Sequence, residues 1–190
     1  SIMKKIVLAA ATLLMGSSLF AQKFAQVDFQ ECVYLMDDIV DASIQMQSVQ
    51  KETTDTYNEM VKDYQAKAEA YQTKQSTWTA SVKDSKGREL ADLEQRIQEF
   101  AQTSQQELQQ IQQNLMAPIV EKVQNAVDEI AAAAGYSFVF DKGSVRYISA
   151  KDCTDITKDV RTKLGIPADR TLEGFQAEQQ AKLEAAAATK

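Results

Sequence analysis

Apolar and aromatic residues recur every seven positions through the first half of the chain. Met36, Ser43, Gln50, Tyr57, Tyr64, Tyr71 and Trp78 occupy one register, with Ile39, Met46, Thr53 and Met60 three residues further on and Val40, Val61, Ala68 and Val82 four further on. This is the pattern of a helix that needs a partner helix. The stripe is polar and weak between Gln47 and Thr56. A second stripe follows at Leu90, Leu93, Ile97, Phe100, Leu108, Ile111 and Leu115, with Ser104 where an apolar residue would fall. From Gln22 to Ala134 there is one Gly (87) and one Pro (118), so helix breakers are nearly absent. Between the stripes lies Asp84-Ser85-Lys86-Gly87. Asp and Ser favour turns, and Gly accepts the left-handed conformation that closes a helix. The spacing therefore predicts a long antiparallel helical hairpin over 33–117 with its tip at 84–87. Arms of roughly 50 residues would reach about 75 Å at 1.5 Å per residue.

The period changes on either side of the hairpin. Pro118 marks a joint, and Ile119, Val120, Val123, Val127 and Ile130 continue an amphipathic helix that closes at Gly135. Tyr136 to Phe140 then alternates as a strand, Asp141 to Ser144 reads as a turn, and Val145 to Ile148 reads as the returning strand of a β-hairpin. Phe24 to Phe29 is a further strand candidate. A short helix is expected from Thr154 or Asp155 to Leu164, with Gly165 as its stop. The tail, 167–190, is Ala- and Gln-rich, and a loose helix and a disordered segment stay open as alternatives. The fold class is thus α+β: a coiled-coil arm projecting from a small β-rich body made of 22–32 and 118–166. Three short strands remove little apolar area from water, so the body is expected to oligomerise. The residues placed to be buried between copies are Phe24, Val27, Phe138, Phe140, Val145 and Tyr147.

The first 21 residues read as an address. Lys4 and Lys5 precede an apolar run from Ile6 to Met15, and Leu19-Phe20-Ala21 offers a cleavage site after Ala21. The run is too short to cross a bilayer as a mature helix. The expectation is an exported chain, periplasmic in a bacterium, with at most transient membrane contact.

Composition narrows the chemistry. There is no His, so a Ser-His-Asp triad, a Cys-His pair and a His-ligated zinc site are excluded. Two Cys cannot build a four-cysteine metal site. The glycines are scattered singly, without a phosphate loop. The formal charge is −6, or −8 once Lys4 and Lys5 are removed, which argues against nucleic acid as a partner. Asp37-Asp38 and Asp128-Glu129 are adjacent on helices and point about 100° apart, so neither pair converges on one atom. No enzyme and no cofactor is expected.

Three features invite a binding role. Tyr57, Tyr64, Tyr71 and Trp78, with Met60, either pack within the hairpin, the leading reading, or offer adaptable surface to a client chain. Nine of the nineteen residues from 95 to 113 are Gln, which is a solvated face or a polar cavity wall. Cys32 and Cys153 both belong to the body. In an exported protein they are either bonded or two buried free thiols.

Several segments carry a family likeness. Lys23-Phe24-Ala25-Gln26-Val27-Asp28-Phe29-Gln30 resembles the opening strand of the Skp/OmpH periplasmic chaperones. Pro118-Ile119-Val120-Glu121-Lys122-Val123, Gly135 to Asp141, Val145 to Ile148 and Asp155 to Val160 resemble that family's body. The likeness spans about 22–166, and in the arms it is one of length and period alone. It implies a homotrimer with a shared β-barrel body, whose arms enclose a cavity that holds unfolded outer-membrane proteins without ATP. The arms differ from the basic arms of that family: residues 51–113 carry eight Lys or Arg against eleven Asp or Glu. The tip, 74–96, is near neutral with five basic and four acidic residues. A structural or adaptor coiled-coil protein of the periplasm is the alternative, and aggregation of a denatured outer-membrane protein separates the two.

Overall fold

The computed structural model describes residues 22–189, so the proposed leader and its cleavage site lie outside the described residues. Two compact units divide the chain. Of the described residues, the first combines 22–35 with 121–170, and the second combines 36–120 with 171–189.

The first unit is organised around one strand. β1 (Phe24–Val27) pairs in parallel with β2 (Phe138–Asp141) on one side and with β3 (Cys153–Asp155) on the other. Ala25, Gln26 and Val27 are buried, and the Gln26 amide is satisfied by donating from Nε2 to Cys153 O at 3.1 Å. Asp28 ends the strand and caps α1 (Phe29–Tyr34), accepting from Glu31 N at 2.9 Å. α4 (Thr157–Lys163) packs against α1, with Cys32, Val33 and Val160 buried. Val123, Ala126 and Val127, spaced three and one apart near the end of a long helix, add a further apolar face, with Leu35, Ile156 and Ile166 also buried. That helix ends as its sequence predicts. Gly135 has φ +74°, Tyr136 N–H donates to Ala131 O at 3.0 Å and Gly135 N–H to Ala132 O at 3.3 Å, a Schellman closure. Gly165 closes α4 in the same way, with φ +72° and Ile166 N–H on Arg161 O at 2.9 Å.

The expected β-hairpin over 136–148 is not formed. Asp141 accepts from Gly143 N at 3.2 Å and from the Ser144 hydroxyl at 3.3 Å, which winds Lys142–Ser144 into a 3-10 turn. The chain then crosses to the far side of β1, so the third strand is Cys153–Asp155 and runs parallel. Parallel strands need a long connection, and residues 142–152 serve as one. Val145 to Ile148 lies in that connection, outside the sheet.

The second unit holds α2 (Asp38–Lys74), the first part of α3 (Ala80–Ala134) and α5 (Leu172–Ala188). At 1.5 Å per residue α2 is about 56 Å long. The expected long helices are present, but the reversal is not at 84–87. It lies at Gln75–Thr77, a 3-10 turn, followed by Trp78 in an extended conformation (φ −88°, ψ 149°). Thr79 then starts α3, its hydroxyl accepting from Val82 N at 3.3 Å. Asp84 and Gly87 are helical, and Asp84 pairs with Arg88 at 2.8 Å one turn on. The arm also starts later than expected, because Leu35 to Asp37 separates α1 from α2. Pro118 stands inside α3 without ending it, two residues before the boundary between the units. The tail is helical: Thr171 caps α5 through Gly174 N at 3.2 Å, and Gln179 Nε2 donates to Ser43 Oγ at 2.7 Å.

Gly87 gives a direct test of where the chain reverses. A Cβ there would meet Tyr71 Oη at 3.8 Å and Cε2 at 3.9 Å, ordinary contact distances. Gly87→Ala should therefore raise stability by about 1 kcal/mol, the helix-propensity gain, in urea unfolding. A tip residue with positive φ would lose stability on the same substitution.

Candidate interaction surfaces

On the first unit the strand period separates two faces. Ala25 and Val27 point into the unit, while Phe24 joins Phe138 and Phe140 on the opposite face. Phe24 is level with Phe138 in the ladder; Phe138 stacks on Phe24 at 5.9 Å and on Phe140 at 6.2 Å, while Phe24 and Phe140 are tilted at 6.1 Å. The cluster is open to water, with Phe138 54% exposed and Phe140 40%, and Tyr147 is 82% exposed. Beside it, Phe24, Phe140, Val145, Tyr147, Ile148 and Cys153 line an apolar cleft of about 210 Å³. Of the six residues expected between copies, five meet at this face. Val27 does not, because its side chain belongs to the buried side of β1.

A polar edge flanks the cleft. Lys142 Nζ donates to Asp155 Oδ2 at 2.9 Å, and the Thr157 hydroxyl and N–H donate to Asp155 Oδ1 at 2.6 and 3.0 Å. Partial burial alone would raise the Asp155 pKa. The Thr157 and Lys142 hydrogen bonds outweigh it and hold the carboxyl below its usual range.

Cys32 and Cys153 are both free and buried. Burial, then the nearby Glu31 and Asp28 charges, push the Cys32 thiol up to about 12. Burial and Asp155 raise Cys153 as well. Neither is a nucleophile at neutral pH. No group of three or more His, Cys, Asp or Glu suited to a metal occurs among the described residues.

In the second unit the aromatic ladder divides. Tyr71 and Trp78 meet edge-to-face at 5.7 Å beside the reversal, with Tyr71 lying over Gly87. Tyr64 and Met60 are half-buried, and Tyr57 is 38% exposed. Lys67 Nζ pairs with Glu89 at 2.8 Å across the helices. Exposed pairs of this kind contribute little energy, but this one fixes register. Tyr71 opposite Gly87 and Lys67 opposite Glu89 carry along two antiparallel helices to bring Thr53 level with Ser104. Both polar interruptions thus fall in one layer. Their hydroxyls are turned to their own helices, Thr53 Oγ1 to Val49 O at 2.8 Å and Ser104 Oγ to Ala101 O at 3.3 Å. The nine glutamines of 95–113 are all exposed, and Gln95 and Gln110 donate along their own helix to Glu99 and Asn114 at 2.8 and 2.9 Å. They form a solvated face.

One polar clasp carries no sequence signal. Arg161 Nη1 donates to Glu31 Oε1 at 2.8 Å, and Nη2 to Pro167 O at 3.0 Å and Arg170 O at 2.7 Å. Arg170 Nη1 in turn donates to Leu35 O at 2.7 Å, past the end of α1. Nothing in the spacing of TKDVRTK marks Arg161 for this role.

Comparison with known proteins bears on these surfaces. The family model described as "Outer membrane protein (OmpH-like)" matches residues 23–164. Among solved structures, a candidate outer membrane chaperone (OmpH-like) from Caulobacter crescentus CB15 superposes with a TM-score of 0.62 at 16% identity, covering 75% of this chain and 83% of that one. That likeness is one of fold. No curated protein matches the chain.

Two measurements check this account. The folded Cys32 thiol keeps its proton until about pH 12, whereas the unfolded thiol ionises around its ordinary value of 9.0. The native state therefore binds more protons in that window, and stability should fall as pH rises through it. Cys32→Ala should flatten that part of the stability profile; an unchanged slope would refute the assignment. In the arm, Thr53→Leu with Ser104→Leu should add ~2 kcal/mol by filling the polar layer with apolar side chains. Wild-type amides of 47–56 and 98–106 should exchange faster than their helical neighbours, and uniform strong protection would contradict the weak layer.

Proposed function

The chain belongs to the OmpH-like family, and from that premise we propose that it is an ATP-independent holdase for unfolded outer-membrane proteins, exported to the periplasm under the leader 1–21. The observation that carries the reading is the half-covered arm seam. Tyr57 is exposed, Met60 and Tyr64 are half-buried, and polar Thr53 and Ser104 interrupt the two stripes beside them. Many weak apolar contacts of this kind hold a chain without fixing its sequence, and they release it without a nucleotide cycle. No helix among the described residues is long and apolar enough to cross a membrane.

The working form in this reading is a homotrimer. Each fully buried large apolar side chain contributes about 1.5–3 kcal/mol. Association costs about 4–15 kcal/mol in lost freedom. Phe138, Phe140, Val145 and Tyr147 from every copy supply enough apolar area to outweigh that cost, and all four are exposed in the single chain. The arms of three copies then bound a common space lined by exposed Gln and by Tyr57. The acidic balance of the arms favours capture by apolar contact over attraction to anionic lipid.

Mass in solution should be near three times that of the mature chain. At stoichiometric trimer, the protein should suppress aggregation of a urea-denatured outer-membrane β-barrel protein diluted into buffer. Phe138→Asp should yield monomers and abolish suppression. A stable trimer without any suppression would point instead to a structural or adaptor coiled-coil protein.

A further inference from the structure

The match to the family ends at residue 164, yet the chain builds one more helix beyond it, α5. α5 runs close along the start of α2, with Cα atoms of the two helices within 8 Å and the Gln179–Ser43 hydrogen bond between them. Its inward side is a single stripe: Phe175 is 3% exposed, and Gln179, Leu183 and Ala186 follow at helical spacing, half-buried. Beyond the exposed Leu172 and Gly174 of its first turn, its other faces are Ala, Gln, Glu and Lys in water.

The burial of α2 records what α5 covers. Along the arm, the seam positions 53, 60, 64 and 71 are shielded on one side. Near the start of α2, Val40 and Ile44, outside that seam, are shielded as well, beside seam residue Ser43, which accepts from Gln179. The same face further on, at Gln47, Lys51, Thr54 and Asn58, is exposed and polar. The extra shielded positions are thus confined to the start of α2, where Gln179 of α5 reaches Ser43. The attachment of α5 is asymmetric. Immediately before Thr171 the chain is fastened, by Arg161 to Pro167 O and Arg170 O and by Arg170 to Leu35 O. α5 itself rests on one buried ring and a narrow stripe.

We propose that α5 is a tethered latch over the shielded apolar positions at the root of the arm, and that an unfolded client chain displaces it. This rests on the holdase reading above. The fastened connector keeps a released α5 within reach, so that closure is intramolecular and competes with the client at high effective concentration. A greasy segment takes the place of Phe175 and Leu183 beside the start of α2. Once the client leaves to fold, the latch recloses.

The mature full-length chain tests this by hydroxyl-radical labelling and amide exchange. Phe175→Ala, and independently the milder Gln179→Ala, should raise labelling of Ile44 severalfold while Met60 further along α2 stays unchanged. Adding a denatured outer-membrane β-barrel protein to wild type should speed amide exchange throughout 172–188 and leave Ile44 shielded by the client. Unchanged Ile44 labelling in both variants overturns the latch. Client binding with α5 as protected as before overturns it too, leaving the holdase reading intact. Absence of any client binding overturns the holdase reading and client displacement together.

Discussion

β1 has no neighbour in its own part of the chain. Both of its partners come from the far side of the hairpin, and the Gln26 amide reaches Cys153 across 127 positions. Every other feature of the first unit follows from that pairing. With both edges of β1 paired, α1 and α4 complete the first unit. Lys23 Nζ on Ala134 O at 2.7 Å then ties the strand's start to the end of α3. The two long helices are thus an insertion between strands that have to find each other. Such non-local pairing carries a loop-closure cost before any contact offsets it, and it makes folding of this unit slow relative to its helices.

Legibility in the sequence follows the range of the interactions. Helices were readable where heptad spacing and breaker residues act locally, and Gly135 and Gly165 close helices in the way their neighbours indicate. The position of the reversal was not. Asp84-Ser85-Lys86-Gly87 has turn composition, but Gly87 is accommodated inside a helix, where Tyr71 passes over it. The true reversal is a cluster of hydroxyl residues, Ser76, Thr77 and Thr79, with Trp78 between them. Thr79 as a cap three residues before Val82 was the available signal. Val145-Arg146-Tyr147-Ile148 has strand composition and forms no strand in the isolated chain, because the Asp141 side chain winds the preceding turn and the sheet edge goes to Cys153–Asp155 instead. The Arg161 clasp and the docking of α5 depend on tertiary neighbours, and no local pattern encodes them.

The two surfaces differ in what they demand. The aromatic face of the first unit is broad, stacked and open, and it suits permanent cover by copies of itself. The arm seam is narrow, interrupted and only half-filled, and it suits partners that come and go. A chain that kept both kinds of surface uncovered would self-associate without limit. The acidic net charge of the chain and the solvated Gln face oppose that tendency along the arm.

Trp78 is the sole indole in the chain and it sits beside Tyr71 at the reversal, far along the helices from their roots. Intrinsic fluorescence excited at the red edge therefore reports on the helix reversal alone, and unfolding there can be followed in an unlabelled sample without a contribution from the sheet.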